Sequence, residues 1–89
     1  MTPASQLRRL ASQISEARIN ALISKYYNTI LLAKYERRFS TTFILDSDEF
    51  GIVAEELDAI EAIGHYFPGI QRSYDVLNSQ QTVTFRTPS

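Results

Sequence analysis

Apolar residues recur at helical spacing over the first forty positions, but on two different faces. Leu7, Leu10, Ile14, Ala17 and Ala21 follow at 3-4-3-4 intervals, two heptads of an apolar seam. At about 100° per residue these five fall within an arc of roughly 80°. Ile19, Ile23, Tyr26, Ile30 and Ala33, with Leu22, Tyr27 and Leu31 beside them, centre on a direction roughly 160° away. Neither Gly nor Pro interrupts the chain between Ala4 and Phe50. Thr2-Pro3 is a good helix start, because Thr can cap and Pro tolerates the first helical position. The pattern predicts helix from about Pro3 to Arg38, a length of roughly 54 Å. A compact domain of this size has a diameter of only about 30 Å, so such a helix overhangs its own core. Two arrangements accommodate the change of face. The chain breaks near Asn20 and two helices fold onto one sheet, or residues 20–38 cover the core while a 3–21 arm joins another subunit or protein. Two heptads ending in Ala17 and Ala21 make a weak coiled coil, so the arm needs additional contacts.

Further along, Ser40 to Asp46 (STTFILD) is β-branched and aromatic and reads as a strand. Asp46 with Glu49 three residues later resembles a capping box. Phe50, Val53, Leu57 and Ile60, joined by Ala54 and Ile63, then repeat at helical spacing, with Glu55, Glu56, Asp58 and Glu61 largely outside that stripe. Gly64 suits a left-handed helix stop, so an amphipathic helix is expected within 47–64. After a loop at 64–69, Ile70, Tyr74 and Val76 alternate, as do Val83 and Phe85 beyond the polar run Asn78-Ser79-Gln80-Gln81. That is the pattern of a terminal β-hairpin with a longer turn. The fold class expected is α+β, in the order α-β-α-β-β: a small three-stranded sheet covered by a long N-terminal helix and a second amphipathic helix. The last strand is favoured between the other two, since that makes every pair antiparallel; the alternative sets the first strand beside the second. The chain reads as a single domain over 1–89, with a projecting arm at 3–21, a core at 22–86 and a flexible tail at 87–89.

Composition narrows the chemistry. The 89 residues contain no Cys, which excludes disulfides, zinc–cysteine sites and thiol nucleophiles. Hydrophobic content of 44%, with five Tyr and five Phe, is enough for a packed core. The first residues lack the apolar run of a signal peptide, and no stretch approaches the roughly 18 to 20 apolar residues of a membrane span. A soluble, cytoplasmic protein without membrane contact is expected. Net charge is −1, yet residues 1–40 hold seven Lys and Arg against two acids, whereas 41–89 hold two Arg against eight acids. Such opposed halves fit internal complementarity, head-to-tail association, or a basic element that meets nucleic acid.

Motifs for catalysis or cofactors are not found. Asp46-Ser47-Asp48-Glu49-Phe50-Gly51 opens like a calcium loop, but Phe50 and Leu57 stand where oxygen ligands belong, so helix capping is the expected role and no metal is expected. His65 is the single histidine, and its available partners are Asp75 and the carboxylates of the second helix. With no nucleophile motif and no glycine-rich phosphate loop, the chain reads as non-enzymatic, with no cofactor and no small-molecule substrate. Arg8, Arg9, Arg18, Lys25, Arg37 and Arg38 could meet phosphates and Tyr26, Tyr27 and Tyr35 could stack on bases, but Arg8, Arg9 and Arg18 spread over some 180° of the helix instead of forming one stripe. Nucleic-acid binding is therefore the runner-up. The acidic outer face of the second helix reads as solvated, or as a dock for a basic surface.

The layout resembles the small accessory proteins of tailed bacteriophages, compact α/β chains without Cys or catalytic motifs. The resemblance lies in the helix ending KYYNTILLAKYERRF, the strand STTFILD, the helix DEFGIVAEELDAIEAIGHYF and the hairpin ending TVTFRT. It implies an interaction protein, either a binder of a host protein in the host cytoplasm or a virion component forming homo-oligomers. The expected partner-binding residues are Leu7, Leu10, Ile14, Ala17 and Ala21, assisted by Arg8, Arg9 and Arg18.

Overall fold

The computed structural model describes the backbone of residues 3–88 and the side chains of residues 15–88. One α-helix, α1, runs from Pro3 to Tyr35 without the break considered near Asn20. At about 1.5 Å per residue its 33 residues span roughly 50 Å. The molecule measures 53 × 28 × 17 Å, so its long dimension is set by this helix. The radius of gyration, 15.3 Å, accordingly exceeds the roughly 12 Å of a compact chain of this length.

The helix stops at Tyr35, before the expected Arg38, because the chain turns left-handed there. Arg37 has φ 60°, its N–H bonds the Lys34 carbonyl, and the Arg38 N–H bonds the Ala33 carbonyl. This pair of bonds is a Schellman motif with arginine where glycine is commoner. Strand β1 (Ser40–Ile44) follows, then two short strands, β2 (Ser47–Asp48) and β3 (Gly51–Ile52), then helix α2 (Ala54–Tyr66) and the strands β4 (Gln71–Leu77) and β5 (Gln80–Arg86). The principal sheet has the order β1-β5-β4 and is antiparallel throughout, with the last strand in the middle as the sequence favoured.

Three local expectations are corrected. The helix expected within 47–64 begins only at Ala54, because residues 47–52 form a miniature hairpin, with Ser47 opposite Ile52 and Asp48 opposite Gly51. The Asp48 carboxylate accepts the Phe50 N–H, and Gly51 adopts φ 116°, so a tight turn takes up Glu49, while Asp46, its expected capping-box partner, lies before the hairpin and pairs with Arg18. Phe50, read as the first residue of the helical apolar stripe, stands 91% exposed at the tip. Gly64 does not end α2; the helix continues to Tyr66, and Arg72 lies over Gly64 with its guanidinium donating to the Ile60 carbonyl at 3.4 Å. The terminal turn is two residues, Asn78-Ser79, not four. Both have positive φ, 52° and 64°, the type I′ geometry whose twist matches the flanking strands.

The core lies between the sheet and both helices. From α1 it takes Tyr26, Ile30 and Ala33, with Ile19, Leu22, Ile23 and Tyr27 partly buried against it. The second apolar face of α1 is thus the core face, although Leu31 at its margin is exposed. α2 contributes Ala59, Ile60 and Ile63, and the sheet contributes Phe43, Val83 and Phe85. Tyr26, Phe43 and Phe85 form an aromatic cluster with ring centroids 4.6 to 5.8 Å apart, in tilted and edge-on contacts. Each fully buried apolar side chain contributes about 1.5–3 kcal/mol, so the core half of α1 is held by packing.

One buried carboxylate ties the layers together. Glu56, 2% exposed in the first turn of α2, accepts a hydrogen bond from the Tyr26 hydroxyl and another from the Asp46 N–H at 3.4 Å. A carboxylate is costly to bury unless its oxygens find donors, and here α1 and the segment after β1 supply them. Burial, then the Glu56 bond and charge, push the Tyr26 phenol well above the usual tyrosine range.

Candidate interaction surface

Described contacts of α1 with the rest of the domain begin one turn before the core face. Ser15 donates to Glu55 at 3.0 Å, and Arg18 pairs with Asp46. Farther along, Tyr27 packs on Tyr66 and Phe67 at 5.5 and 5.3 Å, and the Lys34 ammonium lies 5.7 Å over the Phe67 ring. Since Ser15 meets the start of α2 and Tyr27 and Lys34 meet its end, the two helices run in the same direction. The Glu55 carboxyl is held below the usual range, chiefly by its own backbone N–H in the open first turn of α2, then by Ser15 and Arg18.

Of the expected partner-binding residues, Ala17 and Ala21 are exposed, at the C-terminal end of the seam. Arg18 is committed to Asp46, although its side chain remains 44% accessible. Leu7, Arg8, Arg9, Leu10 and Ile14 lie on helical backbone but outside the residues whose side chains are described. Ala17 and Ala21, one turn apart on the unbroken helix, lie on the side away from the core face that begins at Ile19. Strands of seven residues span about 24 Å, so roughly half of a 50 Å helix reaches past the sheet.

The residues proposed for stacking on bases are differently placed. Tyr26 is buried and Tyr27 half-buried in aromatic contacts, while Tyr35 is 87% exposed at the far end of α1. His65 is exposed near the end of α2. Among the described residues no group of three or more His, Asp or Glu is placed to hold a metal ion, and no helix is long and apolar enough to cross a membrane. A cavity of about 140 Å³ lies between Gly69, Gln71, Arg86, Thr87 and Pro88, below the size of sites for organic ligands.

Folding sorts the charges along the strand axis, which the one-dimensional count shows only in part. Lys34, Arg37, Arg38, Arg72 and Arg86 gather where α1 ends, β1 and β4 begin and β5 ends, with Glu36 paired to Arg38. Asp46, Asp48, Glu49, Glu55, Asp58 and Asp75 gather at the opposite end, where Arg18 pairs with Asp46. Sequence reasoning missed Glu56, which it counted among the solvated acids; a carboxylate two positions into a helix and adjacent to the apolar stripe was the available signal. No family model, curated protein or solved structure matches this chain.

Proposed function

We propose that this is a non-enzymatic interaction module that associates with a second copy of itself through the apolar seam Leu7, Leu10, Ile14, Ala17 and Ala21 of α1. The observation that carries the reading is the division of labour along one helix: its core face begins at Ile19, while Ala17 and Ala21 face solvent on a rod that outreaches the sheet. A solvent-exposed helix bearing a second apolar line is stabilised when another helix covers that line. The pattern fits a small phage accessory protein working in the host cytoplasm, where the same seam would serve homo-oligomer formation or capture of a host protein.

Light scattering after size exclusion tests this on the full chain. Leu10→Asp and Ile14→Asp should each lower the solution mass while circular dichroism and thermal midpoint stay close to wild type. Unfolding of both variants would assign the seam to the domain core, and an unchanged mass would remove it from any interface; either result overturns the proposal.

A further inference from the structure

The sheet has an open edge. All seven residues of β4 are exposed, and the strand lies at one side of the order β1-β5-β4. The hairpin closes with Leu77 opposite Gln80 across a two-residue turn, and Gln81 bonds toward β1 through the Leu45 N–H at 2.8 Å. Bonding in an antiparallel ladder alternates, so Gln71, Ser73, Asp75 and Leu77 exchange bonds with β5, and the backbone groups of Arg72, Tyr74 and Val76 point outward. Edges of this kind are normally blunted by Lys, Pro, a bulge or a covering element. β4 contains no Lys and no Pro, its register with β5 runs from Gln71 to Leu77 without a bulge, and Tyr74, Val76 and Leu77 are half-exposed along it. The one local cap is the Asp75 carboxylate, which accepts the Val76 N–H at 2.8 Å.

We infer that β4 pairs with β4 of a second copy, antiparallel about a two-fold axis at Tyr74, to form a continuous six-stranded sheet. Two observations select a second copy over a foreign strand. First, the edge is self-complementary: centring on Tyr74 overlaps all seven residues, lets the Tyr74 backbone groups of the two copies bond reciprocally, and lets each Arg72 N–H reach the partner's Val76 carbonyl without displacing Asp75. Second, β4 runs from the cationic end of the domain to the acidic end, so antiparallel pairing sets each cationic end beside the other copy's acidic end. A parallel arrangement would align like charges. Electrostatic complementarity of this kind selects orientation and partner. This surface is separate from the α1 seam, and a chain bearing both would assemble beyond a dimer.

The absence of native cysteine makes a direct test clean. Opposed residues of a bonded antiparallel pair have Cα atoms about 5.5 Å apart, within disulfide range. Full-length Tyr74→Cys treated with diamide should form covalent dimers at least about tenfold faster than Glu61→Cys on the outer face of α2, because pairing raises the local thiol concentration. Equal rates would overturn the pairing. Solution mass separates this proposal from the seam: Leu10→Asp should remain a dimer, weaker at about 1 M than at about 0.1 M salt, and Leu10→Asp combined with Tyr74→Lys should be monomeric and folded. A monomer from Leu10→Asp alone sinks the edge pairing and leaves the seam standing. Monomers from Tyr74→Lys alone, with Leu10→Asp unchanged in mass, sink the seam and leave the edge.

Discussion

The two halves of α1 share one backbone and differ in what holds them. From Ile19 to Ala33 the helix is fixed by burial against β1, β5 and α2, with Tyr26 in an aromatic cluster and its hydroxyl on Glu56. Toward the N-terminus the described ties thin out to polar contacts, Ser15 with Glu55 and Arg18 with Asp46, beside the exposed methyls of Ala17 and Ala21. Exposed ion pairs contribute about 0–1 kcal/mol, less than one buried isoleucine. Helix continuity therefore does not imply uniform stability; the same rod passes from a segment packed on the core to one whose described contacts are polar.

The comparison breaks most readily at Ile30. Ile30→Ala should lower unfolding free energy by about 2–5 kcal/mol in urea titrations, whereas Ala17→Asp should change it by less than about 1 kcal/mol, the helix-propensity difference, while reducing solution mass. Similar stability losses at both sites would erase the distinction between the halves.

A second test concerns the polar link inside the packed half. Glu56→Ala strands the Tyr26 hydroxyl and should cost about 1–3 kcal/mol; Tyr26→Phe together with Glu56→Gln should cost less than the sum of the single changes. The same link sets an alkaline limit. The folded-state pKa of Tyr26 lies above its unfolded value, so the linked stability is fully present below about pH 10 and declines as pH rises from there toward the folded pKa. In ultraviolet titration one of the five tyrosines should resist ionisation until the protein unfolds, and Tyr26→Phe should remove that resistant fraction.

At the C-terminal end of the packed half, Arg37 occupies a left-handed position that costs a non-glycine residue about 1–2 kcal/mol. Arg37→Gly should recover up to about 1 kcal/mol in thermal unfolding, and a loss would mean that its side chain makes a compensating contact. The smallest effect lies where the two halves of α1 meet. Glu55 should titrate below the ordinary glutamate range by carboxyl NMR; its contribution is present above the unfolded pKa and fades as pH falls through the depressed folded one. Ser15→Ala should move that titration upward with no change in the Tyr26 region.

What could be read in the sequence followed from repetition. Ile23, Tyr26, Ile30 and Ala33 declare their face because a period of 3.6 sustained over several turns has few competing explanations. Antiparallel closure of three strands favoured the observed order but left open the first strand beside the second, which the structure decides. Residues 46–52 misled because Asp46 with Glu49 matches a helix cap, while the neighbouring Asp48 makes an Asx turn, and the choice was made by Gly51 and by the pairing of Ser47 with Ile52. The turn at Asn78-Ser79 looked longer because Gln80 and Gln81 are polar, yet Gln80 pairs with Leu77 and Gln81 with Val76. The candidate surfaces were legible unequally. The seam is a linear pattern, whereas the β4 edge and the two charged ends exist only after the sheet is assembled.

The middle position of β5 also governs when this domain can fold during synthesis. β1 is made some forty residues before the strand it pairs with, and neither α1 nor α2 can close over a sheet whose centre is missing. The β4–β5 hairpin is local and can form within microseconds of its synthesis, but β1 must wait for it, a long loop to close. Until residues 80–86 emerge, the apolar faces of Tyr26, Phe43 and Ile63 have no shared surface to pack on. A released chain truncated before Thr82 should therefore be cleaved by protease along most of its length, whereas the full chain with β5 should resist.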